Sequence, residues 1–262
     1  MKFHLAINME RLSPEVDMPT VERHTLDMVK MADEGGFYIV WAAEHHALEM
    51  TIAPNPFQIL TWWAAHTSRI RLGTGVVVAP YWHPINVAGE AALLDIYSDG
   101  RLEFGIGSGA YQREFDRMHP DLKQSEGYRY MQEMLPVVKA LWQGDFAHDG
   151  EYWSFPTATA VPKPLQQPHP PIAISIMSPS SGSAGMAGEQ GWIPMSINFA
   201  PSRVLKTHWE SVSAGAEKTG RTPDRADWRI AREIFVADST KEARKMALEG
   251  VLARDFEQYF HP

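Results

Sequence analysis

Short apolar runs alternate with segments of helical periodicity along nearly the whole chain. Runs rich in β-branched and aromatic residues predict seven strands, at residues 3–8, 37–41, 70–78, 102–106, 172–177, 192–197 and 228–236. Between them, apolar residues at three- and four-residue steps predict helices at 20–32, 57–66, 87–97, 124–142 and 241–256. This alternation is typical of βα units that form a parallel sheet.

Seven strand signals of this kind predict a (β/α)8 TIM barrel that lacks its last strand–helix unit. A parallel barrel without one strand leaves an open edge. No change in composition marks a boundary, so we expect residues 1–262 to form one domain. Residues 144–171, which end in a Pro-rich stretch, are interpreted as an insertion between βα units, with a hairpin over one end of the sheet.

Composition narrows the classes of partner. The net charge of −8 and the sequence pI of about 5.8 argue against a nucleic-acid surface, which needs clustered Lys and Arg side chains. The chain has no cysteine, so it lacks disulfides and thiolate metal ligands, and this fits a reducing cytoplasm. No run reaches the roughly 18 apolar residues of a membrane helix. We therefore expect a cytoplasmic protein with no membrane partner.

Glu44, His45 and His46 follow directly after the second predicted strand. In a βα barrel the carboxyl ends of the strands form the catalytic face, and an imidazole there suits general acid or base chemistry. Adjacent residues on an extended backbone point to opposite sides, which disfavours a two-histidine metal site. Two histidines that only hydrogen-bond to a loop backbone explain the pattern equally well.

Glycines interrupt the next two strands. Gly73 and Gly75 indicate either the close approach of a flat ligand or a bulge that helps the barrel to curve, and the bulge is the simpler explanation. The following strand ends in Gly105, Gly107 and Gly109. A bare strand face there would suit a flat cofactor better than a dinucleotide turn.

A serine-rich loop, residues 178–185, follows the fifth predicted strand. Hydroxyl groups and free amides ahead of a helix N-terminus can bind a phosphate without cationic side chains. An ordinary serine N-cap gives the same pattern. Because strand-end loops of such barrels often bind phosphate, the position favours the phosphate interpretation.

Five segments together resemble the bacterial luciferase-like flavin monooxygenases: residues 41–46, 55–57, 69–84, 100–111 and the serine-rich loop. They occur in the order and on the predicted elements that this family shows, and the resemblance extends over residues 3–256. It implies a luciferase-like (β/α)8 barrel that binds reduced FMN at the carboxyl ends of its strands.

The resemblance assigns roles by matching position. His45 corresponds to the catalytic histidine of the family and His46 to its neighbour, and we expect Glu44 to orient an imidazole. The implied cofactor-binding residues are Gly75 and Val76, joined by a cis bond against the isoalloxazine; Ser108, Gly109, Ala110 and Tyr111 beside flavin and substrate; and Tyr128, Ser178, Ser180 and Ser181 near the phosphate. Two positions depart from luciferase: Ser108 replaces an arginine and Gly107 a cysteine.

The resemblance also implies a two-component activity. A separate NAD(P)H:flavin reductase supplies reduced FMN, which reacts with O₂ to give a C4a-hydroperoxide that oxygenates a small organic substrate in a site that excludes water. A dry lining is expected from Trp41, Phe57, Trp62, Trp82 and Tyr111. The implied assembly is a homodimer formed through the helices at 57–65 and 87–97.

Three other functions stay open. An F420-dependent hydride-transfer enzyme uses the same barrel, although the sequence shows no basic cluster for the acidic tail of F420. A non-catalytic flavin-binding or partner subunit is disfavoured because His45 and His46 are both present. A reductase that binds NADP at residues 105–110 is the weakest of the three.

Overall fold

The computed structural model describes residues 1–11, 13–48, 53–198, 200–250 and 253. Its strands are β1 (His4–Ile7), β2 (Ile39–Ala42), β3 (Arg71–Thr74), β4 (Val77–Val78), β5 (Leu102–Gly107), β6 (Phe146–Asp149), β7 (Ser154–Ala158), β8 (Ile172–Ile176), β9 (Ile193–Ser196) and β10 (Arg229–Ile230). Its α-helices are α1 (Met18–Glu34), α2 (Pro56–Ala64), α3 (Pro84–Tyr97), α4 (Gln112–Met118), α5 (Gly127–Gln143), α6 (Gly182–Gln190), α7 (Ser202–Lys218) and α8 (Thr240–Glu249).

The main sheet is parallel throughout, in the order β1-β2-β3-β5-β8-β9-β10, and β4 continues the line of β3 by pairing with β5. Helices between successive strands cover its outer face, and apolar residues from strands and helices form one large core. In the part of the chain that is described, no further strand pairs with the outer edges of β1 and β10. The predicted TIM-barrel-like fold without its last unit is confirmed.

Buried charges show that the sheet curls into a barrel. The Arg229 guanidinium on β10 lies 3.2 Å from the Glu103 carboxylate on β5 and 5.6 Å from the centre of the Tyr38 ring just before β2. Glu103 also accepts a hydrogen bond from Arg71 at 3.0 Å. A buried carboxylate requires such partners, and here they connect strands from both halves of the sheet across its concave face.

Two predicted strands differ from those observed. The strand at 70–78 is interrupted at Gly75–Val76, where the peptide bond is cis, and the strand at 228–236 is reduced to the two residues of β10. The last predicted helix is observed as α8, and its predicted remainder up to residue 256 lies largely outside the described residues. Helix α4 was not predicted, because its sequence lacks a continuous apolar face.

Residues 146–158 form the antiparallel hairpin β6–β7, within the predicted insertion. It is held on α5 by the Glu133 carboxylate, which accepts the backbone N–H groups of Glu151, Tyr152 and Trp153 at 3.0 to 3.1 Å. Desolvation acts to raise the Glu133 pKa, but the hydrogen bond with the His148 ring and then these backbone hydrogen bonds hold it below its usual range. The assignment of the whole chain to one domain stays a prediction.

The base of the barrel, where the strands begin, contains an open cavity of about 370 Å³. Its lining includes Lys2, Asp33, Arg69 and Arg71. The helices in the described ranges include none that is long and apolar enough to cross a membrane.

Candidate functional site

The predicted site residues lie beyond the carboxyl ends of four strands, except Tyr128, which lies on α5. Glu44, His45 and His46 follow β2, Gly75–Val76 lies between β3 and β4, residues 108–111 follow β5, and the serine-rich loop follows β8. Since carboxyl ends of parallel strands share one side of a sheet, these segments lie at the same end of the barrel, opposite the basal cavity.

His45 forms an imidazole–carboxylate pair with Glu114 on α4. Its Nδ1 lies 3.2 Å from both carboxylate oxygens, and the two side chains are 16% and 4% exposed. Because a carboxylate only accepts hydrogen bonds, neutral His45 carries its hydrogen on Nδ1 and keeps a lone pair on Nε2. The His45 ring also lies 5.6 Å from the ring of Tyr111, so the loop after β5 reaches the histidine.

His46 forms a second pair, with Glu44. Its Nε2 lies 2.6 Å from Glu44 Oε1, and the other oxygen of Glu44 accepts the Val78 backbone N–H at 2.8 Å. The Trp82 indole N–H donates to the same carboxylate at 2.9 Å. Glu44 thus orients His46, whereas the carboxylate that pairs with His45 belongs to Glu114.

The two pairs are joined through the backbone. The His46 N–H donates to Glu114 Oε1 at 2.7 Å, so Glu114 holds both the His45 side chain and the adjacent peptide. Burial raises the pKa of the Glu44 carboxyl, and its hydrogen bonds to His46, Val78 and Trp82 oppose that rise. Burial thus disfavours the charged form of Glu44, whereas its three hydrogen bonds support that form.

Tyr81 lies between the two pairs and the surrounding aromatic residues. Its ring meets His46 edge-on at 5.2 Å and lies 5.2 Å from Phe115. Burial, together with the negative charges of Glu114 and Glu44, raises the pKa of the Tyr81 hydroxyl. The phenol therefore stays protonated next to the histidines.

The cis dipeptide Gly75–Val76 contacts the neighbouring strand end. The Gly75 N–H donates to the Ala42 carbonyl at the end of β2, at 2.7 Å. A side chain added at Gly107 would place its Cβ 2.8 Å from Val76 Cγ2 and 2.5 Å from Ser175 Oγ. The dipeptide is thus packed against the end of β5, between the histidine pairs and β8.

The prediction of a bare strand face at Gly105, Gly107 and Gly109 is wrong. A Cβ at Gly105 would collide with the Thr74 carbonyl oxygen, and one at Gly109 would lie 2.6 Å from the Phe115 ring. Neighbouring protein atoms therefore occupy the position that a Cβ would take at these glycines. At Gly73 a Cβ would collide with the Trp41 indole, so this glycine makes room for a core side chain.

The predicted aromatic lining is only partly correct. Trp82 and Tyr111 contact the carboxylate–histidine pairs. Phe57 is buried in the core against Trp82, with ring centres 5.5 Å apart. Trp62 is 48% exposed on the outer face of α2, where its N–H donates to Glu22 at 2.6 Å. Trp62 therefore does not line the site.

The serine-rich loop forms a second group of donors, at the start of α6. Ser181 is the N-cap residue, but its side chain makes no capping hydrogen bond, so the first amides of α6 are not satisfied by a serine side chain. A Cβ added at Gly182 would lie 3.1 Å from the Tyr128 hydroxyl, which places this hydroxyl against the first residue of the helix. Burial and the charge of Glu189 raise the Tyr128 pKa, so it remains a donor.

This donor set fits the phosphate of a flavin mononucleotide. Uncapped helix amides, hydroxyls and a protonated phenol all donate to oxygens, and the helix dipole favours an anion at this end. Ser178 and Ser180 are exposed in the same loop. Within the described ranges, no group of three or more His, Asp or Glu side chains is arranged to hold a metal ion.

Sequence reasoning missed Glu114, the carboxylate that holds His45. The contact spans 69 positions along the chain, and α4 shows no periodic pattern that predicts a helix. The available signal was an acidic residue three positions after Tyr111, in what proves to be a first helical turn, where a carboxylate interacts favourably with the helix dipole.

The chain resembles known monooxygenases in sequence. The model of the luciferase-like monooxygenase family matches residues 1–261. The chain is 39% identical over 253 residues to the oxygenase component of flavin-dependent trigonelline monooxygenase from Acinetobacter baylyi. This match covers 95% of this chain and 69% of the relative. It is 32% identical over 232 residues to 4-hydroxyprotoasukamycin monooxygenase from Streptomyces nodosus subsp. asukaensis, and the match covers 86% of this chain and 62% of that relative. The chain thus spans roughly two thirds of the length of these relatives.

A solved structure shows the same fold. It is the oxygenating constituent of 3,6-diketocamphane monooxygenase from Pseudomonas putida, a type II Baeyer–Villiger monooxygenase in complex with FMN. The two chains are 27% identical and superimpose with a TM-score of 0.88, over 99% of this chain and 74% of that chain.

Proposed function

This chain belongs to the luciferase-like monooxygenase family, and on that premise we propose that it is the oxygenase component of a two-component monooxygenase that uses reduced FMN and O₂ to oxygenate a small organic substrate. The observation that carries the proposal is the His45–Glu114 pair beyond β2, because it leaves an imidazole Nε2 lone pair at the catalytic end of the barrel. An imidazole held in this way can accept a proton from substrate or cofactor and return it.

The proposed FMN site extends from the histidine pairs to the serine-rich loop. Gly75, Val76 and residues 108–111 would lie beside the isoalloxazine, while Tyr128, Ser178, Ser180 and Ser181 would hold the phosphate with the first amides of α6. Bound there, reduced FMN would supply the electrons that activate O₂. Trp82, Tyr111 and Tyr81 would help to exclude water from the reacting atoms.

The two pairs have different proposed roles. His45 is the catalytic residue, since its Nε2 is not engaged by the carboxylate. His46 supports the site, because its imidazole is tied to Glu44 and its backbone N–H to Glu114. Glu44 in turn holds Val78 and Trp82, which fixes the strand end around the dipeptide.

Equilibrium binding tests the proposal. Anaerobic titration should show tighter binding of reduced FMN than of F420 or NADPH, and a flavin reductase with NAD(P)H should support substrate oxygenation by the purified chain. Hydride transfer from F420 without FMN would favour the F420-dependent alternative instead. Direct oxidation of NADPH would favour a reductase, and flavin binding without any product would favour a non-catalytic subunit.

We further propose a homodimer formed through α2 and α3. Leu93, Ile96 and Tyr97 lie on one face of α3 at three- and four-residue steps and are 39%, 41% and 61% exposed. Exposed apolar side chains that are grouped on one face mark a contact surface.

Replacing Ile96 with aspartate should raise the dimer dissociation constant by at least about thirtyfold, because a buried interface charge costs ~2 kcal/mol or more. Sedimentation velocity over a concentration series measures this constant. The matched control is Met246→Asp on α8, where the replaced side chain is 48% exposed. An unchanged dimer in Ile96→Asp, or a wild-type chain that stays monomeric, would refute this interface.

A further inference from the structure

A chain of buried hydrogen bonds ends at the serine-rich loop. His208 on α7 is fully buried, and its Nε2 lies 3.1 Å from the Ser178 carbonyl oxygen. Its Nδ1 lies 2.9 Å from the hydroxyl of Ser196, the last residue of β9. The Trp228 indole N–H, just before β10, lies 2.9 Å from the same hydroxyl. The chain therefore connects the end of the sheet to the loop through one imidazole.

For a neutral His208, the chemistry of the partners fixes the direction of every hydrogen bond. A carbonyl oxygen only accepts, so His208 must donate through Nε2–H to Ser178. In the neutral imidazole Nδ1 then accepts, which requires the Ser196 hydroxyl to donate, and that oxygen is left to accept from Trp228. Burial lowers the pKa of His208, which favours this neutral form.

Helix α7 holds the loop at a second point and is itself closely packed on α6. The Ser180 backbone N–H donates to the Thr207 hydroxyl at 3.1 Å, so adjacent residues of α7 bind the loop on both sides of Pro179. A Cβ at Gly188 would collide with the Val212 carbonyl oxygen, and one at Gly215 with the Gly185 carbonyl oxygen. The two helix backbones approach too closely for side chains between them, which fixes α7 relative to the N-terminus of α6.

We propose that His208 is a positioning residue for the cofactor, which holds the backbone of the serine-rich loop in the shape that binds the FMN phosphate. The inference rests on the proposed function, because the phosphate is the group assigned to this loop. His208 acts through Ser178 and does not itself touch the cofactor. Its effect must therefore appear in the phosphate contribution to binding and not in contacts with the flavin ring.

Comparison of FMN with riboflavin, which has the same ring system but no phosphate, isolates that contribution. Dissociation constants for both ligands are measured by fluorescence titration for the wild type and for His208→Leu. The wild type should bind FMN at least about tenfold more tightly than riboflavin, since hydrogen bonds to a charged group are strong. In His208→Leu the FMN constant should rise about tenfold while the riboflavin constant changes by less than about twofold.

His208→Gln is the conservative variant, because its side-chain amide can donate to the Ser178 carbonyl. It should keep the FMN constant within about threefold of the wild type. Ser196→Ala is the second variant. It removes the donor to Nδ1 without touching the loop, so it should raise the FMN constant selectively by a smaller factor than His208→Leu, and it decides the question if His208→Leu does not fold.

The outcomes separate the two proposals. A wild type that binds FMN and riboflavin equally refutes the phosphate site, and this inference with it. A wild type that prefers FMN, with His208→Leu and Ser196→Ala showing the same preference, refutes only the role of His208. Nitrogen-15 NMR of the apo protein gives a readout independent of flavin: it should show His208 neutral with hydrogen on Nε2, and hydrogen on Nδ1 would overturn the inference.

Discussion

Replacement of His45 with alanine is expected to lower the rate of product formation by about 10²- to 10⁴-fold, the usual contribution of a positioned general acid or base. The reason is that Glu114 holds the imidazole through Nδ1 and leaves Nε2 for proton transfer. FMN affinity should change little, because the proposed phosphate donors lie on a separate loop. Turnover with saturating reduced FMN, together with the FMN dissociation constant, measures both effects.

The control for this substitution is His24→Ala, which removes an exposed imidazole on α1 and should leave turnover unchanged. An unchanged turnover in the His45 variant would remove this histidine from the mechanism. A large rise in the FMN dissociation constant with normal turnover at saturation would make His45 a binding residue only.

The second large effect is expected at Glu114. In Glu114→Gln an NH₂ group replaces one of the oxygens that accept from His45 Nδ1 and the His46 amide. One of these donors then faces another donor, and the imidazole loses its fixed orientation. We expect kcat to fall by about 10- to 100-fold, as for other carboxylates that orient a functional imidazole, with little change in KM for the substrate.

Asp116→Asn supplies the matched control on the same helix. Asp116 is exposed and accepts a hydrogen bond from Gln112 at 2.9 Å, so its loss should leave kcat within about twofold, the usual range for a surface substitution. Equal effects of the two substitutions, or a Glu114→Gln variant with the wild-type kcat, would contradict the role of Glu114 at His45.

The sequence was sufficient to predict the ends of β2, β5 and β8 and the segments beyond them. Alternating apolar runs place Glu44, His45 and His46 after β2 and the serine-rich loop after β8, because burial of parallel strands on both faces produces such runs. The period of an extended chain also predicts that adjacent histidines diverge. In the structure they pair with different carboxylates.

What the sequence could not show depends on contacts between distant segments. Gly105 and Gly73 signal a missing side chain but not what occupies the space, and in both cases it is protein: the Thr74 carbonyl and the Trp41 indole. Glu114 lies on a helix without amphipathic periodicity, and its partners His45 and His46 are far away in sequence. Such pairings become visible only when the strands are assembled.

The central claim is that the carboxyl ends of the strands bind FMN between the His45–Glu114 pair and the start of α6. A crystal structure of the protein with FMN tests it most directly. We expect the phosphate to lie within hydrogen-bond distance of the first α6 amides and the Tyr128 hydroxyl, and the isoalloxazine to lie beside Gly75–Val76. FMN bound elsewhere, such as in the cavity of about 370 Å³ at the base of the barrel, would contradict it.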